Sequence, residues 1–382
     1  MKKAIPYGKQ YIDRKDIKYV LSSLQNDLIT TGPYVLKFEN EVKKYFKSKF
    51  SYVCSSGTAA IHLALMSLNL KKNDVILMPA INFIASYNLA KMMNLKVYLL
   101  DVDKHTGQST PEKVLECIKQ NNLKKIKALI IMHHGGYPQF IKKFYDLKKK
   151  YNFFIIEDAC HALGSEYKYK NKFYKIGSCK HSDICTFSLH PVKTITTGEG
   201  GIITVNDQKL AKRIELLRSH GISRDKVNYW KYDVLENGLN YRLSDLNCAL
   251  GVSQMNKLKF FLLKRKKIYN KYVKELKNFN SHLHIPEYFK NIKFSYHLFL
   301  IHIEFDKLKK NKDNFLRYLN KNDIIAQYHY IPIYKFKVFG KKRAEFKEAE
   351  IYYKNTISLP IFVNLKNKDQ NKIITAVKNY FK

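Results

Sequence analysis

The sequence lacks any apolar run long enough to cross a membrane. Its most apolar stretches, residues 75–80 and 128–132, are far shorter than the about 20 residues that a spanning helix requires. It also lacks a Cys-x-x-Cys pair, because its six cysteines are scattered along the chain. Scattered cysteines predict reduced thiols rather than a disulfide framework or a zinc site. The basic N-terminus has no apolar core of the kind found in signal peptides, and we therefore expect a cytoplasmic protein with no bound metal.

Acidic residues are scarce beside basic ones. The chain has 69 Lys and Arg against 32 Asp and Glu, which gives a formal net charge of +37. Such a charge is typical of proteins that bind nucleic acid or anionic membranes. The lysines are nevertheless spread along the whole chain, with no zinc-finger or RNA-binding motif beside them. We interpret most of the charge as a solvated surface that attracts anionic substrates, and we expect no nucleic-acid or membrane partner.

Helical and strand patterns alternate through the first part of the chain. Helical patterns at residues 16–25, 35–46, 58–68 and 140–151 alternate with apolar strands near Val75, Val97, Ala128 and Phe154. This alternation predicts an α/β fold with a mostly parallel sheet and helices on both faces.

After Ser244 a long helical stretch leads into a second region. There, strand patterns at 297–303 and 324–330 with helices around them predict a small α+β unit. We expect an N-terminal segment and a large domain at 1–255 and a small C-terminal domain at 256–382.

Residues 157–201 contain the residue types of a pyridoxal phosphate (PLP) site. The apolar run 153–156 predicts a buried strand, and Asp158 and His161 follow at its carboxyl end. Open α/β sheets bind their ligands at that edge. Lys193 comes later, in a turn that contains proline and precedes a glycine pair.

Amino transfer with PLP requires these residue types. A lysine amine holds the aldehyde of PLP and moves a proton, and a buried carboxylate opposite the pyridine nitrogen keeps that nitrogen protonated. Lys193 is the candidate for the first role and Asp158 for the second, while His161 could lie against the ring or its phenolic oxygen. Each of the three, taken alone, reads as an ordinary solvated or hydrogen-bonded residue. Their combination favours the PLP site.

A second pattern upstream supplies a place for a phosphate. A short strand at 52–54 is followed by small residues at 55–60 and then by apolar residues at helical spacing. Backbone N–H groups and the helix dipole at such a start attract anions, and Thr58 adds a hydroxyl. Alone, the pattern equally describes an ordinary Ser/Thr cap. Beside a PLP-type lysine we favour the phosphate, with Ser188 as a further donor.

Four segments together carry a family pattern. They are Ser-Gly-Thr-Ala-Ala at 56–60, Glu-Asp-Ala-Cys-His-Ala-Leu-Gly-Ser at 157–165, Phe-Ser-Leu-His-Pro-Val-Lys-Thr-Ile-Thr-Thr-Gly-Glu-Gly-Gly at 187–201, and Gly-Leu-Asn-Tyr-Arg-Leu-Ser-Asp at 238–245. This pattern resembles the DegT-type nucleotide-sugar aminotransferase family over nearly the whole chain. Residues 5–10, 30–33 and 327–334 are most similar to its pseudaminic-acid branch.

The resemblance implies a fold type I PLP-dependent transferase and a role for each matching position. The implied catalytic residues are Lys193, Asp158 and His161. The implied cofactor-binding residues add Gly57, Thr58, Ala59, Phe83, Ser188 and Asn240, the last reaching into the neighbouring subunit's site. The implied substrate-binding residues are Tyr7, Asp27, Leu28, Ile29, Thr30, Ser188, Asn240, Gln327, Tyr328, His329 and Tyr330.

On this resemblance we expect a homodimer with shared active sites. Its reaction would convert a UDP-linked 4-keto-6-deoxy sugar to the 4-amino sugar with L-glutamate. Two alternatives stay open: the same chemistry on another UDP- or dTDP-linked 4-ketosugar, and a non-catalytic PLP-binding regulator. The presence of Lys193, which dehydratases of the family lack, favours amino transfer.

Overall fold

The computed structural model describes residues 4–225, 227–228, 230–340 and 346–381. The helices are α1 (Arg14–Leu24), α2 (Pro33–Phe46), α3 (Gly57–Ser67), α4 (Ala85–Met92), α5 (Pro111–Gln120), α6 (Ile141–Tyr151), α7 (Gln208–Arg218), α8 (Asp245–Asn256), α9 (Leu258–Leu276), α10 (Lys312–Lys321), α11 (Lys347–Asn355) and α12 (Asn367–Tyr380). The strands are β1 (Phe50–Cys54), β2 (Val75–Pro79), β3 (Lys96–Leu100), β4 (Ala128–Met132), β5 (Phe154–Asp158), β6 (Glu166–Tyr169), β7 (Lys172–Lys175), β8 (Ile184–Ser188), β9 (Gly201–Val205), β10 (Ile222–Arg224), β11 (Tyr232–Val234), β12 (Leu283–His284), β13 (Ile292–Lys293), β14 (Phe299–Ile303) and β15 (Thr356–Leu359).

A seven-stranded sheet in the order β1-β9-β8-β5-β4-β2-β3 forms the centre of the large region. The pairs from β8 through β5, β4 and β2 to β3 are parallel, while β9 runs antiparallel to both of its neighbours. The predicted α/β fold with a mostly parallel sheet is confirmed. Since β5 lies inside the sheet, Asp158 at its carboxyl end faces the edge where parallel sheets bind ligands.

Helices cover both faces of this sheet. One core packs α3, α4 and α7 against one face, and α2, α5, α6 and α8 pack against the other. Neighbouring residues of β5 therefore belong to opposite cores, Ile155 to one and Ile156 to the other. Strands buried on both faces are apolar at nearly every position, and this explains the unbroken apolar sequence of β4.

The C-terminal region has its own core. The antiparallel sheet β12-β14-β15 packs with α9, α10 and α12, and Ile5 from the start of the chain packs into the same core. The predicted strand at 297–303 is confirmed as β14. The break between α8 and α9, after Asn256, coincides with the expected domain boundary at 255/256, which remains a proposal.

The strand predicted at 324–330 is wrong. That segment makes only two isolated pairings, Ile324 with Ile5 and Gln327 with Ser358 of β15. The segment pairs with the start of the chain at one position and with β15 at another, so it does not run alongside a single partner strand. Within the described residues, no helix is both long and apolar enough to cross a membrane.

Candidate active site

A cavity of about 350 Å³ opens at the carboxyl ends of β5 and β8. Residues from both regions of the chain line it, since its wall includes the 56–58 loop, the ends of both strands and His297 with Tyr330 from the C-terminal region. The predicted site residues that it brings together are Tyr7, Gly57, Thr58, Phe83, Asp158, His161, Ser188, Lys193, His329 and Tyr330.

Lys193 lies in a loop that is held by its own backbone. Its N–H donates to the carbonyl of His190 at 2.9 Å, and Leu189 pairs with Gly200 at 2.8 Å where the loop begins and ends. A Cβ on Gly201 would lie 2.2 Å from the carbonyl oxygen of Ser56, so only glycine allows the loop to approach α3 this closely. Burial lowers the pKa of Lys193, although the negative charge of Asp158 opposes the shift. A lower pKa increases the fraction of neutral amine, which is the nucleophilic form.

Asp158 presents its carboxylate at the end of β5. It is 3% exposed, and its Oδ1 accepts a hydrogen bond from the N–H of Cys160 at 3.2 Å. The turn that follows β5 is fixed because Ala159 donates to the carbonyl of Thr186 in β8 at 2.8 Å. A buried carboxylate of this kind, aimed into a cavity, can hold a proton on a basic ring nitrogen.

The start of α3 offers free N–H groups to the same cavity. Ser56 is the N-cap, and its Oγ accepts from the N–H of Ala59 at 3.0 Å. The N–H groups of Gly57 and Thr58 have no acceptor among the described residues. Such unpaired groups, with the helix dipole behind them, form an anion site. Ala59, in contrast, packs in the core and does not line the cavity.

Gly57 brings Ser188 next to this anion site. A Cβ at Gly57 would lie 2.7 Å from the Cβ of Ser188, so the close approach of α3 to the end of β8 requires glycine. The Ser188 side chain therefore lies beside the first residue of α3, where the free N–H groups are.

The hydrogen bonds of His161 determine to which group the Tyr330 hydroxyl can donate. The N–H of Gly135 donates to Nδ1 of His161 at 3.3 Å, and the Tyr330 hydroxyl lies 2.9 Å from Nε2. Burial, and next the charge of Lys193, lower the pKa of His161 well below its usual value, so the ring is neutral. A neutral imidazole with an accepting Nδ1 carries its proton on Nε2. His161 therefore donates to Tyr330, which leaves the tyrosine O–H free to donate into the cavity.

Three further imidazoles surround this pair. Burial lowers the pKa of His134 and of His329 to about 3, and it lowers that of His297 well below its usual value. His134 and His329 are linked by Tyr352, whose hydroxyl donates to the carbonyl of His329 at 2.9 Å and lies 2.7 Å from Nε2 of His134. The sequence analysis missed His297, because it is the first residue of a predicted strand and no motif marks it.

Several predicted residues lie outside the cavity in this single chain. Asp27, Leu28, Ile29, Thr30, Asn240 and Gln327 are exposed and do not line it. Asn240 does not cap α8, because Ser244 is the N-cap and accepts from the N–H of Asn247. Tyr328 also lies outside the cavity and packs beneath Lys312.

The residues present fit PLP. Free N–H groups and a hydroxyl stand where a phosphate would bind, and a buried carboxylate and a lysine of lowered pKa share the same cavity. No group of three or more His, Cys, Asp or Glu within the described part of the chain could hold a metal ion.

Comparisons with known proteins agree with this geometry. The profile of the DegT/DnrJ/EryC1/StrS aminotransferase family matches residues 10–378. The chain is 37% identical, over 96% of its length and 94% of the relative's, to UDP-4-amino-4,6-dideoxy-N-acetyl-beta-L-altrosamine transaminase from Campylobacter jejuni.

Solved structures have the same fold. PseC from Helicobacter pylori, an aminotransferase in the biosynthesis of pseudoaminic acid, superimposes with a TM-score of 0.91 at 28% identity and 99% coverage of both chains. The PLP form of a sugar aminotransferase described as putative, from Streptococcus pneumoniae, superimposes with a TM-score of 0.89 at 23% identity, covering 99% of this chain and 98% of the other. The predicted fold and the PLP cofactor are confirmed. The chain belongs to the DegT/DnrJ/EryC1/StrS aminotransferase family.

Proposed function

We propose that the protein converts a UDP-linked 4-keto-6-deoxy-N-acetyl hexose to its 4-amino sugar, with L-glutamate as amino donor, in pseudaminic acid biosynthesis. The observation that carries the proposal is the cavity shared by Lys193, Asp158 and the free N–H groups of α3. Similarity to the Campylobacter transaminase supports the choice of sugar. The net reaction exchanges the amino group of glutamate for the C4 oxygen of the ketosugar and releases 2-oxoglutarate.

Bound PLP supplies an electron sink for the carbon that carries the transferred nitrogen. Lys193, as a neutral amine, would move a proton from Cα of glutamate to the cofactor carbon in the first half-reaction, and from the cofactor carbon to C4 of the sugar in the second. Asp158 holds a proton on the pyridine nitrogen, and its burial favours this pairing. The N–H groups of Gly57 and Thr58, with the Ser188 hydroxyl, bind the phosphate and orient the ring.

Tyr330 and His161 are placed to orient the sugar. Because His161 donates to Tyr330, the tyrosine proton is available to an oxygen of a ligand in the cavity. Tyr7, whose ring centroid lies 5.7 Å from that of His329, closes the cavity on the same side. These hydroxyls select for an oxygen-rich substrate.

The active form that we propose is a homodimer with shared sites. Ile17, Leu21 and Leu24 form a stripe along α1 that is 53–56% exposed. Leu28 and Ile29 extend this apolar surface into the loop after α1. Exposed apolar patches on this scale mark contact sites between subunits.

The ribbon β10-β11 adds to this surface. Its Val234 and the next residue, Leu235, are 54% and 58% exposed. A cavity of about 390 Å³, lined by Thr31, Val35 and Ile222, lies between the ribbon and the loop after α1. Pairing through this face would bring the 27–30 loop and Asn240 to the partner's cavity.

We place the enzyme in the cytoplasm, where nucleotide sugars and reduced thiols are found. Five of the six cysteines are buried and all six are free, which suits a reducing compartment.

The deciding experiment incubates the PLP-loaded enzyme with the UDP-linked 4-ketosugar and L-glutamate. We expect a product whose mass shows replacement of the carbonyl oxygen by an amino group, with the new C–N bond assigned to C4 by NMR. Equal or faster turnover of another UDP- or dTDP-linked 4-ketosugar in a parallel panel would reassign the substrate. Bound PLP without any reaction with glutamate would instead identify a regulator.

A further inference from the structure

Lys312 is a lysine in an unusual place. Its side chain is 8% exposed, and it begins α10, the helix end whose dipole disfavours positive charge. Within the described residues no carboxylate lies within ion-pair distance of its Nζ. Burial lowers its pKa to about 8, so its surroundings disfavour the charged form.

The ammonium group of Lys312 instead contacts two tyrosine rings and a backbone carbonyl. Its Nζ lies 3.6 Å from the ring centroid of Tyr353 and 4.6 Å from that of Tyr328, and it donates to the carbonyl of Tyr353. The two rings meet edge to face, with centroids 5.7 Å apart. We call this group, Lys312 with Tyr328 and Tyr353, the lysine clamp. Cation–π contacts strengthen when the cation is shielded from water, as here.

Both tyrosines of the lysine clamp directly neighbour residues of the active site. Tyr328 precedes His329 and Tyr330, which line the cavity. Tyr353 follows Tyr352, whose hydroxyl donates to the carbonyl of His329. The segment 328–330 is therefore held on the outside by Lys312 and on the inside by Tyr352.

Other contacts hold residues on either side of Tyr328, but they leave the ring of Tyr328 to the lysine clamp. Gln327 pairs with Ser358 in an isolated bridge, and His329 Nδ1 lies 2.8 Å from the Ser358 hydroxyl. No regular strand in the described part of the chain pairs along residues 324–330. The ring of Tyr328 has no hydrogen bond among the described residues, so Lys312 and Tyr353 fix its orientation.

We propose that Lys312 is a positioning residue that fixes segment 328–330 through the lysine clamp, so that Tyr330 and His329 are presented to the sugar half of the substrate. The proposal rests on the proposed function for its substrate, but not for the geometry of the clamp. It assigns Tyr328 a structural task next to the site in place of the direct substrate contact that the sequence predicted.

The test compares Lys312→Met, which keeps volume and removes charge, with Lys312→Arg, which keeps the cation. Lys310→Met is the matched control, because Lys310 makes the same kind of contacts with Tyr380, lying 4.4 Å from its ring and donating to its carbonyl, away from the cavity. Amide hydrogen exchange of the peptide 324–332 is measured in each holoenzyme. We expect faster exchange of this peptide in Lys312→Met only, with Lys312→Arg close to wild type.

Steady-state and half-reaction kinetics supply the second readout. We expect Lys312→Met to raise KM for the ketosugar by about tenfold, because segment 328–330 loses the buried cation–π contact at Tyr328. The proposal assigns segment 328–330 to the sugar and not to glutamate, so the half-reaction with glutamate should keep its wild-type rate. Unchanged exchange in 324–332, or equal damage to both half-reactions with a general fall in stability, would overturn the proposal. If the wild-type enzyme turns over no ketosugar, the proposed function fails, while the exchange data still test the role of the lysine clamp.

Discussion

At the scale of single residues, the site depends on burial, which disfavours the charged forms of Lys193 and His161. Lys193 and His161 both have their pKa lowered, first by burial, and His161 also by the charge of Lys193. A protonated lysine cannot attack a carbonyl, and a protonated His161 would have no acceptor for the N–H of Gly135. The same low-dielectric surroundings therefore prepare a nucleophile and fix a hydrogen-bond direction.

We expect Lys193→Ala to abolish multiple turnover, with a loss of at least about 100-fold, because proton transfer alone contributes that much. Folding should survive, since Lys193 makes no ion pair within the described residues and its loop is held by backbone bonds. Turnover and the far-UV circular dichroism spectrum are the measurements, with Lys180→Ala, an exposed lysine, as the control. Substantial turnover by purified Lys193→Ala would contradict the assignment.

At the scale of elements, the start of α3 shows how a helix is fitted to a ligand. The side chain of Ser56 caps the helix by accepting from the N–H of Ala59, and its carbonyl accepts from that of Ala60, so the N–H groups of Gly57 and Thr58 stay available. Gly57 removes the side chain that would separate them from Ser188. Ser56 thus stabilises the helix, and Gly57 leaves the first N–H groups accessible to a ligand.

Gly57→Ala tests this role of Gly57. The added Cβ would lie 2.7 Å from Ser188, and relief of the clash must move α3 away from the end of β8. We expect PLP affinity to fall by about tenfold, as overpacking of one methyl group typically costs 1–3 kcal/mol. Titration of the apoprotein with PLP, followed by absorbance, measures the change. A wild-type affinity would show that the contact with Ser188 does not shape the phosphate site.

Periodicity predicted four helices and four strands of the large region, because one chemical rule governed each of them. The helices at 16–25, 35–46, 58–68 and 140–151 appear with ends shifted by one or two residues. Helix α1 begins at Arg14, two residues before the predicted start, because Asp13 is its N-cap and forms a capping box with Asp16. The strand at 324–330 failed because apolar alternation does not reveal whether one partner strand runs alongside.

At the scale of the whole molecule, the single chain assembles only part of the predicted site. Motif residues such as Asp158 and Lys193 converge, because sheet topology alone brings them together. His297 could not be found, since its contribution comes from the packing of the C-terminal region on the sheet. Asn240 and the 27–30 loop, which the family resemblance assigned to the site, are exposed in the single chain.

Subunit mixing decides whether Asn240 completes the partner's site. We expect Lys193→Ala and Asn240→Ala chains, each poorly active alone, to regain activity when their subunits exchange. A heterodimer then contains one site with intact Lys193 from one chain and intact Asn240 from the other. Random exchange in a two-fold dimer makes half of the molecules heterodimers with one of two sites intact, so recovery should approach about a quarter of wild type. Asn240 is exposed and does not cap α8, and its isolated pairing with Ser219 is made by the backbone, which Asn240→Ala keeps. Absence of recovery despite heterodimers detected by native mass spectrometry would mean that Asn240 serves its own chain, and full activity of Asn240→Ala alone would remove it from the site.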